Sequence, residues 1–198
     1  MYKYRTTLAN RGTIMLSSSV LFTPEEVAQL SQLYRAIPEE RVILGDAGEP
    51  NDLYVSRFMV DRAGELPTRV NRTYSDKVLS ILTTPKRERF FYDLLGTKMY
   101  IRRCQVNRMV AGSFIGHHLD VDSNPDYHVS VVVQLGRNFS GGDFVVYPNS
   151  ASEDIFTPEH GTVIISKCIY PHEVRRVTSG ERISLVYFLS EYTNTNRR

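Results

Sequence analysis

Six short strand-like segments lie between residues 98 and 190 and indicate the fold class. They are KMYIRRCQVNRMV (98–110), YHVSVVVQL (127–135), DFVVY (143–147), GTVIISK (161–167), HEVRRV (172–177) and ERISLVYFLS (181–190). These segments are short, rich in Val, Ile and Tyr, and separated by the turn-forming residues Gly, Pro, Asn and Ser. Because no helical segment intervenes, they predict an antiparallel sandwich or barrel.

The chain before residue 98 has a more helical character. The sequence predicts one or two short strands over 13–22, a helix from Pro24 to about Ala36, a helix over 76–83 capped by Ser75, and a helix from Pro85 to Leu95. Thr23 and Glu26 have the spacing of a capping box at the start of the first helix, and Gly96 is typical of the residue that ends the last one. The predicted class is therefore mainly β (α+β), with supporting N-terminal helices.

Residues 44–72 are rich in Gly, Pro, Asp, Asn and Arg, with an apolar island at 53–60. We interpret them as mostly loop with a short strand, either a lid over a site or an ordinary surface excursion. The segment carries four arginines that could meet a substrate carboxylate or phosphate, namely Arg57, Arg62, Arg69 and Arg72. The sequence alone favours solvated loop charges for all four.

Composition indicates one domain over 1–198, divided into N-terminal support (1–97), a strand-rich core (98–190) and a tail (191–198). The 198 residues are 41% hydrophobic and 23% charged, and the net charge of +2 is too small to argue for nucleic acid. Two cysteines without a CxxC spacing predict neither a disulfide framework nor a zinc ribbon. No secretory signal and no apolar run of about 20 residues are present, so we expect a cytoplasmic protein that does not enter membranes.

The segment GHHLD (116–120) suggests half of a metal site. In an extended strand, side chains at i and i+2 share a face. His118 and Asp120 therefore form the predicted chelating pair, and His117 points to the opposite face. Asp122 is a weaker candidate for the acid, because the chain would have to stay extended beyond Asp120.

The third ligand is predicted to be His172, which begins a strand 54 residues after His118 (172 − 118 = 54). Two imidazoles and one carboxylate leave three positions of an octahedron open, as in the facial triad of non-haem Fe(II) oxygenases. His128, in the middle of a strand, and His160, in a turn, are poorer candidates.

A carboxylate clamp is predicted ten residues after His172 (182 − 172 = 10). Arg182 and Ser184 share a strand face, and a guanidinium with a nearby hydroxyl offers a charge-assisted fork and one further donor. Without the histidine pattern, Arg182 would be interpreted as a surface charge.

Three segments resemble the 2-oxoglutarate-dependent Fe(II) dioxygenases, specifically the prolyl 4-hydroxylase-like branch. In order they are NRMVAGSFIGHHLD (107–120), FSGGDFVVYP (139–148) and PEHGTVIISKCIYPHEVRRVTSGERISL (158–185). The resemblance spans about 101–190, nearly half the chain. It implies a double-stranded β-helix, a jelly roll of two facing sheets buttressed by N-terminal helices.

The resemblance also implies residue roles and cofactors. His118, Asp120 and His172 would be the iron ligands and catalytic residues. Arg182 would bind the distal carboxylate of 2-oxoglutarate with help from Ser184, and Asn107 could hydrogen-bond the cosubstrate. The implied cofactors are Fe(II), 2-oxoglutarate and O₂, with ascorbate as an auxiliary reductant to test.

Four other residues of these segments are assigned scaffold roles by the same resemblance. Gly141 and Gly142 would form a tight turn, and Asp143 and Glu173 would support the strands.

The chain departs from the family at Met109, where a tyrosine that contacts the cosubstrate commonly stands three residues before the glycine. Tyr100, Tyr127 and Tyr147 are candidates for a replacement hydroxyl, and the sequence does not rank them.

The implied activity is hydroxylation of an unactivated C–H bond, with release of succinate and CO₂. Desaturation and ring closure stay open. A small molecule, an amino acid or a peptidyl residue such as proline fits the branch, and the sequence assigns neither substrate-binding residues nor an oligomeric state. The alternatives are a nucleic-acid demethylase of the alkylation-repair type and a non-catalytic or cupin-like jelly-roll metal-binding module.

Overall fold

A computed structural model describes residues 1–62, 65–149 and 151–192. Its helices are α1 (Tyr2–Arg11), α2 (Pro24–Tyr34), α3 (Arg72–Leu82), α4 (Pro85–Leu95) and the single turn α5 (Asp120–Ser123). Its strands are β1 (Thr13–Ser17), β2 (Glu40–Leu44), β3 (Pro50–Val60), β4 (Thr68–Arg69), β5 (Tyr100–Val110), β6 (Phe114–His118), β7 (Val129–Gln134), β8 (Ser140–Gly141), β9 (Phe144–Asn149), β10 (Ser152–Phe156), β11 (Thr162–Lys167), β12 (His172–Val174), β13 (Val177–Ser179) and β14 (Glu181–Ser190).

The strands form two facing antiparallel sheets joined through β3. The first sheet has the order β1-β11-β7-β14-β5-β3, and the second continues through β6-β12-β9-β10. The later part of β3 pairs with β5, whereas its first residues pair with β6. The curled, nearly closed sheet is the double-stranded β-helix that the family resemblance implied, and it agrees with the antiparallel sandwich or barrel predicted from the strand pattern.

Strand β3 corrects the interpretation of residues 44–72. The predicted loop with a short strand is an 11-residue strand, which forms a hairpin with β2 (residues 40–60, hereafter the β2–β3 hairpin) and joins the two sheets. Residues 45–49 form the turn of this hairpin, most of the chain after Val60 lacks regular structure, and residues 63 and 64 lie outside the described residues. The sequence interpretation failed because several inward positions of β3 are polar, which interrupts the apolar alternation of an ordinary strand.

The helices pack on the outer face of the first sheet. The capping box of α2 is present, with Thr23 Oγ1 accepting from the Glu26 N–H and the Glu26 carboxylate accepting from the Thr23 N–H. Gly96 ends α4 with φ +84°, as predicted. These helices and the outward residues of β7, β11 and β14 form one apolar core, and a second core lies between the sheets.

One N-terminal prediction was wrong, and one helix had not been predicted at all. Helix α1 was not predicted, and α3 begins at Arg72 rather than after a Ser75 cap. Ser75 lies inside α3, where its buried hydroxyl donates to the Phe58 carbonyl. The residue therefore ties the helix to β3 instead of capping it. Among the described residues, no helix has the length and apolarity needed to cross a membrane.

Candidate metal centre

The structure brings His118, Asp120 and His172 together. His118 ends β6, Leu119 stays extended, and Asp120 begins α5, so the histidine and the acid face the same side. His172 begins β12 and is the cross-strand partner of His118. Asp120 Oδ1 lies 3.4 Å from His118 Nε2 and 3.6 Å from His172 Nε2. One ligand atom from each residue lies within 4.8 Å of the others, a spacing that can hold a metal ion.

Backbone carbonyls orient both imidazoles. His118 Nδ1 lies 2.8 Å from the Gly116 carbonyl, and His172 Nδ1 lies 3.1 Å from the Tyr170 carbonyl. A carbonyl only accepts, so each Nδ1 carries the hydrogen and each Nε2 keeps its lone pair for a metal. Residue 116 must be small because β6 runs close to β3 there: a Cβ on it would lie 2.5 Å from the Pro50 carbonyl oxygen.

Electrostatics favours the ligand form of the acid. Burial disfavours ionisation of Asp120, but His172 and His118 hold the pKa of that carboxyl below its usual value. Burial also lowers the pKa of His172, which favours neutral imidazole. At His118 the effect of burial is opposed by hydrogen bonding and charge from Asp120, and the net pKa is raised. A cation entering the cluster therefore meets an ionised carboxylate and at least one neutral imidazole.

The other candidate ligands lie elsewhere. His117 is exposed on the opposite face of β6, with its ring 5.1 Å from the ring of Tyr147. Asp122 lies within the α5 turn, and the chain does not stay extended beyond Asp120 as that alternative required. The ring nitrogens Nδ1 of His128 and His160 contact backbone carbonyls at 3.1 Å and 3.0 Å.

Arg182 lines the same cavity as the His-Asp-His cluster. Its side chain is buried, and within the described part of the chain Nε and Nη2 have no hydrogen-bond partner. Nη1 contacts the Met109 sulfur at 3.7 Å. Burial lowers the pKa of Arg182 to about 10, and the charge of Asp143 offsets only part of this effect. The guanidinium is therefore still protonated at neutral pH, and it is a buried cation without a hydrogen-bonded anion.

Gly142 has a role beyond the tight turn predicted from sequence. Its φ is +72°, and a Cβ there would lie 2.6 Å from Arg182 Cδ. The Arg182 side chain thus passes directly over Gly142, and a larger residue at position 142 would displace it. The motif GGD gave a signal for a turn but none for this close approach.

The predicted helpers of Arg182 differ from each other. Ser184 shares the inward face of β14, but its hydroxyl donates to Gln134 Oε1 at 3.0 Å and it does not line the cavity. Its predicted position is confirmed, whereas a direct contact with a ligand is not supported by this geometry. Asn107 does line the cavity, and its Oδ1 accepts from Gln105 Nε2 at 2.8 Å.

The three tyrosines proposed to replace the family tyrosine do not line the cavity. Tyr147 donates to Glu173 Oε1 at 2.9 Å, and Tyr100 lines a separate pocket on the helical side. Tyr127 stacks on Phe188, a cavity residue, at a ring distance of 4.6 Å. Met109 itself occupies the position beside Arg182.

The cavity has a volume of about 100 Å³ and is roofed by the β2–β3 hairpin. Sequence reasoning missed its polar wall, which consists of Glu49, Arg57, Arg103 and Gln105. The i, i+2 alternation of Arg103, Gln105 and Asn107 on β5 was a usable signal, because all three share a face. Arg57 was interpreted as a loop charge and instead lies on β3, opposite Gln105.

Comparisons with known proteins agree with this fold and site. The family model described as the 2OG-Fe(II) oxygenase superfamily matches residues 104–190. A crystal structure of an oxidoreductase of the 2OG-Fe(II) oxygenase family from Burkholderia pseudomallei is 50% identical, covers 100% of this chain and 93% of its own, and has a TM-score of 0.94. A search of curated proteins finds no match.

Two more distant structures share the fold. A prolyl-4-hydroxylase from Pseudomonas putida is 18% identical over 96% of this chain and 98% of its own, with a TM-score of 0.66. HygX from Streptomyces hygroscopicus, with nickel and 2-oxoglutarate bound, is 11% identical over 100% of this chain and 90% of its own, with a TM-score of 0.70. The predicted family, fold and cofactors, Fe(II) and 2-oxoglutarate, are confirmed at this level. The chain belongs to the 2OG-Fe(II) oxygenases, a family of oxidoreductases, and has the fold of their prolyl 4-hydroxylase-like branch.

Proposed function

We propose that this oxygenase hydroxylates an unactivated C–H bond of a small molecule, an amino acid or a peptidyl residue such as proline. The observation that carries the proposal is the buried, unpaired guanidinium of Arg182 in the same cavity as the His-Asp-His cluster. Such a cation is unfavourable unless an anion joins it. A dicarboxylate that also reaches the metal supplies that anion.

In this proposal His118, Asp120 and His172 hold Fe(II). Their ligand atoms already converge, and the protons on Nδ1 of both imidazoles keep them in the required orientation. Bound iron supplies the activation of O₂, with the overall balance R–H + 2-oxoglutarate + O₂ → R–OH + succinate + CO₂. The protein contributes metal geometry, orientation and exclusion of water.

Arg182 is assigned to the distal carboxylate of 2-oxoglutarate. Its Nε and Nη2 can donate two parallel charge-assisted hydrogen bonds to one carboxylate. Asn107 is assigned a hydrogen bond to the cosubstrate through its amide NH₂, because its oxygen already accepts from Gln105. Ser184 is assigned a supporting role, since it holds Gln134 against the strand that carries Arg182.

The carboxylate at position 120 supports hydroxylation. Related halogenases replace this residue with Ala or Gly, which opens a metal position for chloride. Here the acid is present, buried and aimed at both histidines, so no such position is open.

The shape of the cavity favours a small substrate rather than an extended polypeptide. The β2–β3 hairpin covers the cluster through Val42, Gly45 and Ala47. The groove beside it carries three acids and three arginines, namely Glu40, Asp46, Asp61, Arg57, Arg62 and Arg103. This balance of charge does not favour the nucleic-acid alternative, which needs a basic surface.

The test is succinate and CO₂ release from 2-oxoglutarate with Fe(II) and O₂, in wild type, His172→Ala and the matched control His117→Ala. We expect slow release without added substrate in wild type and in His117→Ala, because His117 lies on the opposite face of β6. Release should vanish in His172→Ala together with iron binding. Iron binding that persists in His172→Ala but is lost in His117→Ala would contradict the assignment of the ligands.

A further inference from the structure

We propose that Arg57 and Arg103 form a second carboxylate site, which binds the carboxylate of a small carboxylic-acid substrate and thereby selects the substrate class. This inference rests on the proposed function. The two arginines are separate from the Arg182 site, and nothing in the family comparison assigns them a role.

Arg57 and Arg103 lie where the metal cavity opens to the outside. Both line the cavity of the His-Asp-His cluster, and both also line an adjoining groove of about 550 Å³. The cavity and the groove share two further residues, Asp46 and Ser123. Any small molecule that reaches the cluster from this groove therefore passes the two guanidinium groups.

The two guanidinium groups converge on one neutral acceptor. Arg103 Nε donates to Gln105 Oε1 at 2.9 Å, and Arg57 Nη1 donates to the same oxygen at 3.3 Å. Their other hydrogen bonds use Arg57 Nε and Arg103 Nη1, and among the described residues Nη2 of each has no partner. Each of the two guanidinium groups thus has an Nη2 that can donate to a carboxylate oxygen. Two such cations beside one amide oxygen can bind a planar carboxylate.

The acids that now pair with these arginines are weak competitors. Arg57 pairs with Glu40 at 2.7 Å, and Arg103 pairs with Asp46; both acids belong to the β2–β3 hairpin. The side chains of Glu40 and Asp46 are 59% and 56% exposed. Ion pairs that exposed contribute little, so a substrate carboxylate in the less exposed cavity can join or replace them.

The site lies far from the cosubstrate arginine. Arg182 is the cross-strand partner of Met109, whereas Arg103 is the partner of Phe188, six residues further along β14 (188 − 182 = 6). Six strand residues separate the two backbone positions by roughly 20 Å along β14, which favours a second ligand at the Arg57–Arg103 end. The His-Asp-His cluster lines the same cavity, so a ligand held at that end lies in the cavity of the metal site.

Aromatic packing holds Arg103 in place before any ligand binds. Its guanidinium lies 5.8 Å from the centre of the Phe188 ring, which stacks on Tyr127 at 4.6 Å. A side chain supported in this way loses less conformational freedom on binding, so more of the interaction with a carboxylate appears as affinity.

The experiment measures stimulation of succinate formation by a panel of free L-amino acids, each compared with its carboxamide, on the iron-loaded protein. Arg57→Gln and Arg103→Gln are compared with wild type. The matched control is Arg41→Gln, because Arg41 lies on the same hairpin, pairs with Asp52 and does not line the cavity. A charge-transfer band from anaerobic Fe(II) protein with 2-oxoglutarate checks the proposed function independently.

We expect at least one free acid to stimulate turnover more than its amide. The concentration for half-maximal stimulation should rise about tenfold or more in each Arg→Gln variant and stay unchanged in Arg41→Gln. If the charge-transfer band forms but no free acid exceeds its amide, or the Arg→Gln variants match wild type, this inference is overturned and the proposed function stands. If the band does not form, the proposed function itself fails.

Discussion

Arg102 and Arg182 are equally buried, at 1% exposure each, on the neighbouring strands β5 and β14. Arg102 donates to Asp61 at 3.2 Å and to the Tyr192 carbonyl at 3.0 Å, and Asp61 also accepts from Asn124 at 3.0 Å. Arg182 contacts a thioether and leaves two nitrogens without partners within the described chain. A buried arginine is therefore structural at position 102 and available to bind a ligand at position 182.

The hydrogen-bond partners of a buried charged side chain therefore indicate whether it stabilises the fold or binds a ligand. A buried cation with its own carboxylate has its charge compensated within the protein. A buried cation without one carries an unfavourable free energy that a bound anion removes. Four substitutions test this distinction.

The largest effect is expected for Asp61→Asn. The substitution removes the carboxylate to which the buried Arg102 donates, so the free energy of unfolding should fall by about 3–5 kcal/mol. Urea unfolding with a double-mutant cycle through Arg102→Met measures it. A loss below about 1 kcal/mol would mean that Arg102 reaches solvent easily. The Arg102–Asp61 pair would then not be an example of a structural buried charge.

Arg182→Met should remove stabilisation by the cosubstrate. At about 100 times its Kd, 2-oxoglutarate adds about 2.7 kcal/mol to the stability of iron-loaded wild type under anaerobic conditions. The variant at the same concentration should gain less than about 1 kcal/mol. Equal stabilisation of the two proteins would show that the distal carboxylate is bound elsewhere.

The same variant without cosubstrate should behave unlike Arg102→Met. Met replaces a buried charge, which has no hydrogen-bonded anion among the described residues, with an apolar side chain. The free energy of unfolding of Arg182→Met should therefore either stay within about 1 kcal/mol of the wild-type value or exceed it. Arg102→Met should lower it by several kcal/mol, since it breaks the buried ion pair with Asp61. Similar losses in both variants would mean that Arg182 has a structural role like that of Arg102.

The smallest effect is expected at the surface pair Arg108–Glu39, where Arg108 donates at 2.7 Å and 2.9 Å. Hydrogen bonds from Arg108 hold the pKa of Glu39 below its usual value. The stabilisation is therefore present above the ordinary glutamate pKa and is lost as pH falls through the folded value. Because Glu39 is exposed, Glu39→Gln should lower stability at pH 7 by less than about 0.5 kcal/mol. In acid unfolding, the difference from wild type should shrink as pH falls through the folded pKa of Glu39, and a difference that grows with acidification would contradict this sign.

The features of the fold and site that could be predicted from sequence are those whose residues lie only a few positions apart in the chain. HxD at 118 and 120 depends only on the two-residue repeat of an extended chain, and the strand segments after residue 98 have clear Val- and Ile-rich patterns. The capping box at Thr23 and Glu26 and the end of α4 at Gly96 are equally local.

The parts that could not be predicted depend on partners far along the chain. Ser184 was placed on the correct face, but its acceptor Gln134 lies 50 residues away. Arg57 appeared to be a loop charge because β3 carries polar residues on its cavity side. Helix α1 buries only Leu8 and so has no amphipathic pattern. Its position follows from packing against the sheet, which periodicity does not reveal. The tail 191–198 is described only as far as residue 192.

The central claim is that Arg182 is an open site for an anion that also binds the metal. The most direct measurement is an anaerobic titration of Fe(II)-loaded protein with 2-oxoglutarate, followed by the metal-to-ligand charge-transfer band, in wild type, Arg182→Met and Arg41→Gln. We expect a saturable band in wild type and Arg41→Gln, and a dissociation constant raised about a hundredfold or more in Arg182→Met. A band of unchanged affinity in Arg182→Met, or no band in wild type that has bound iron, would contradict the claim.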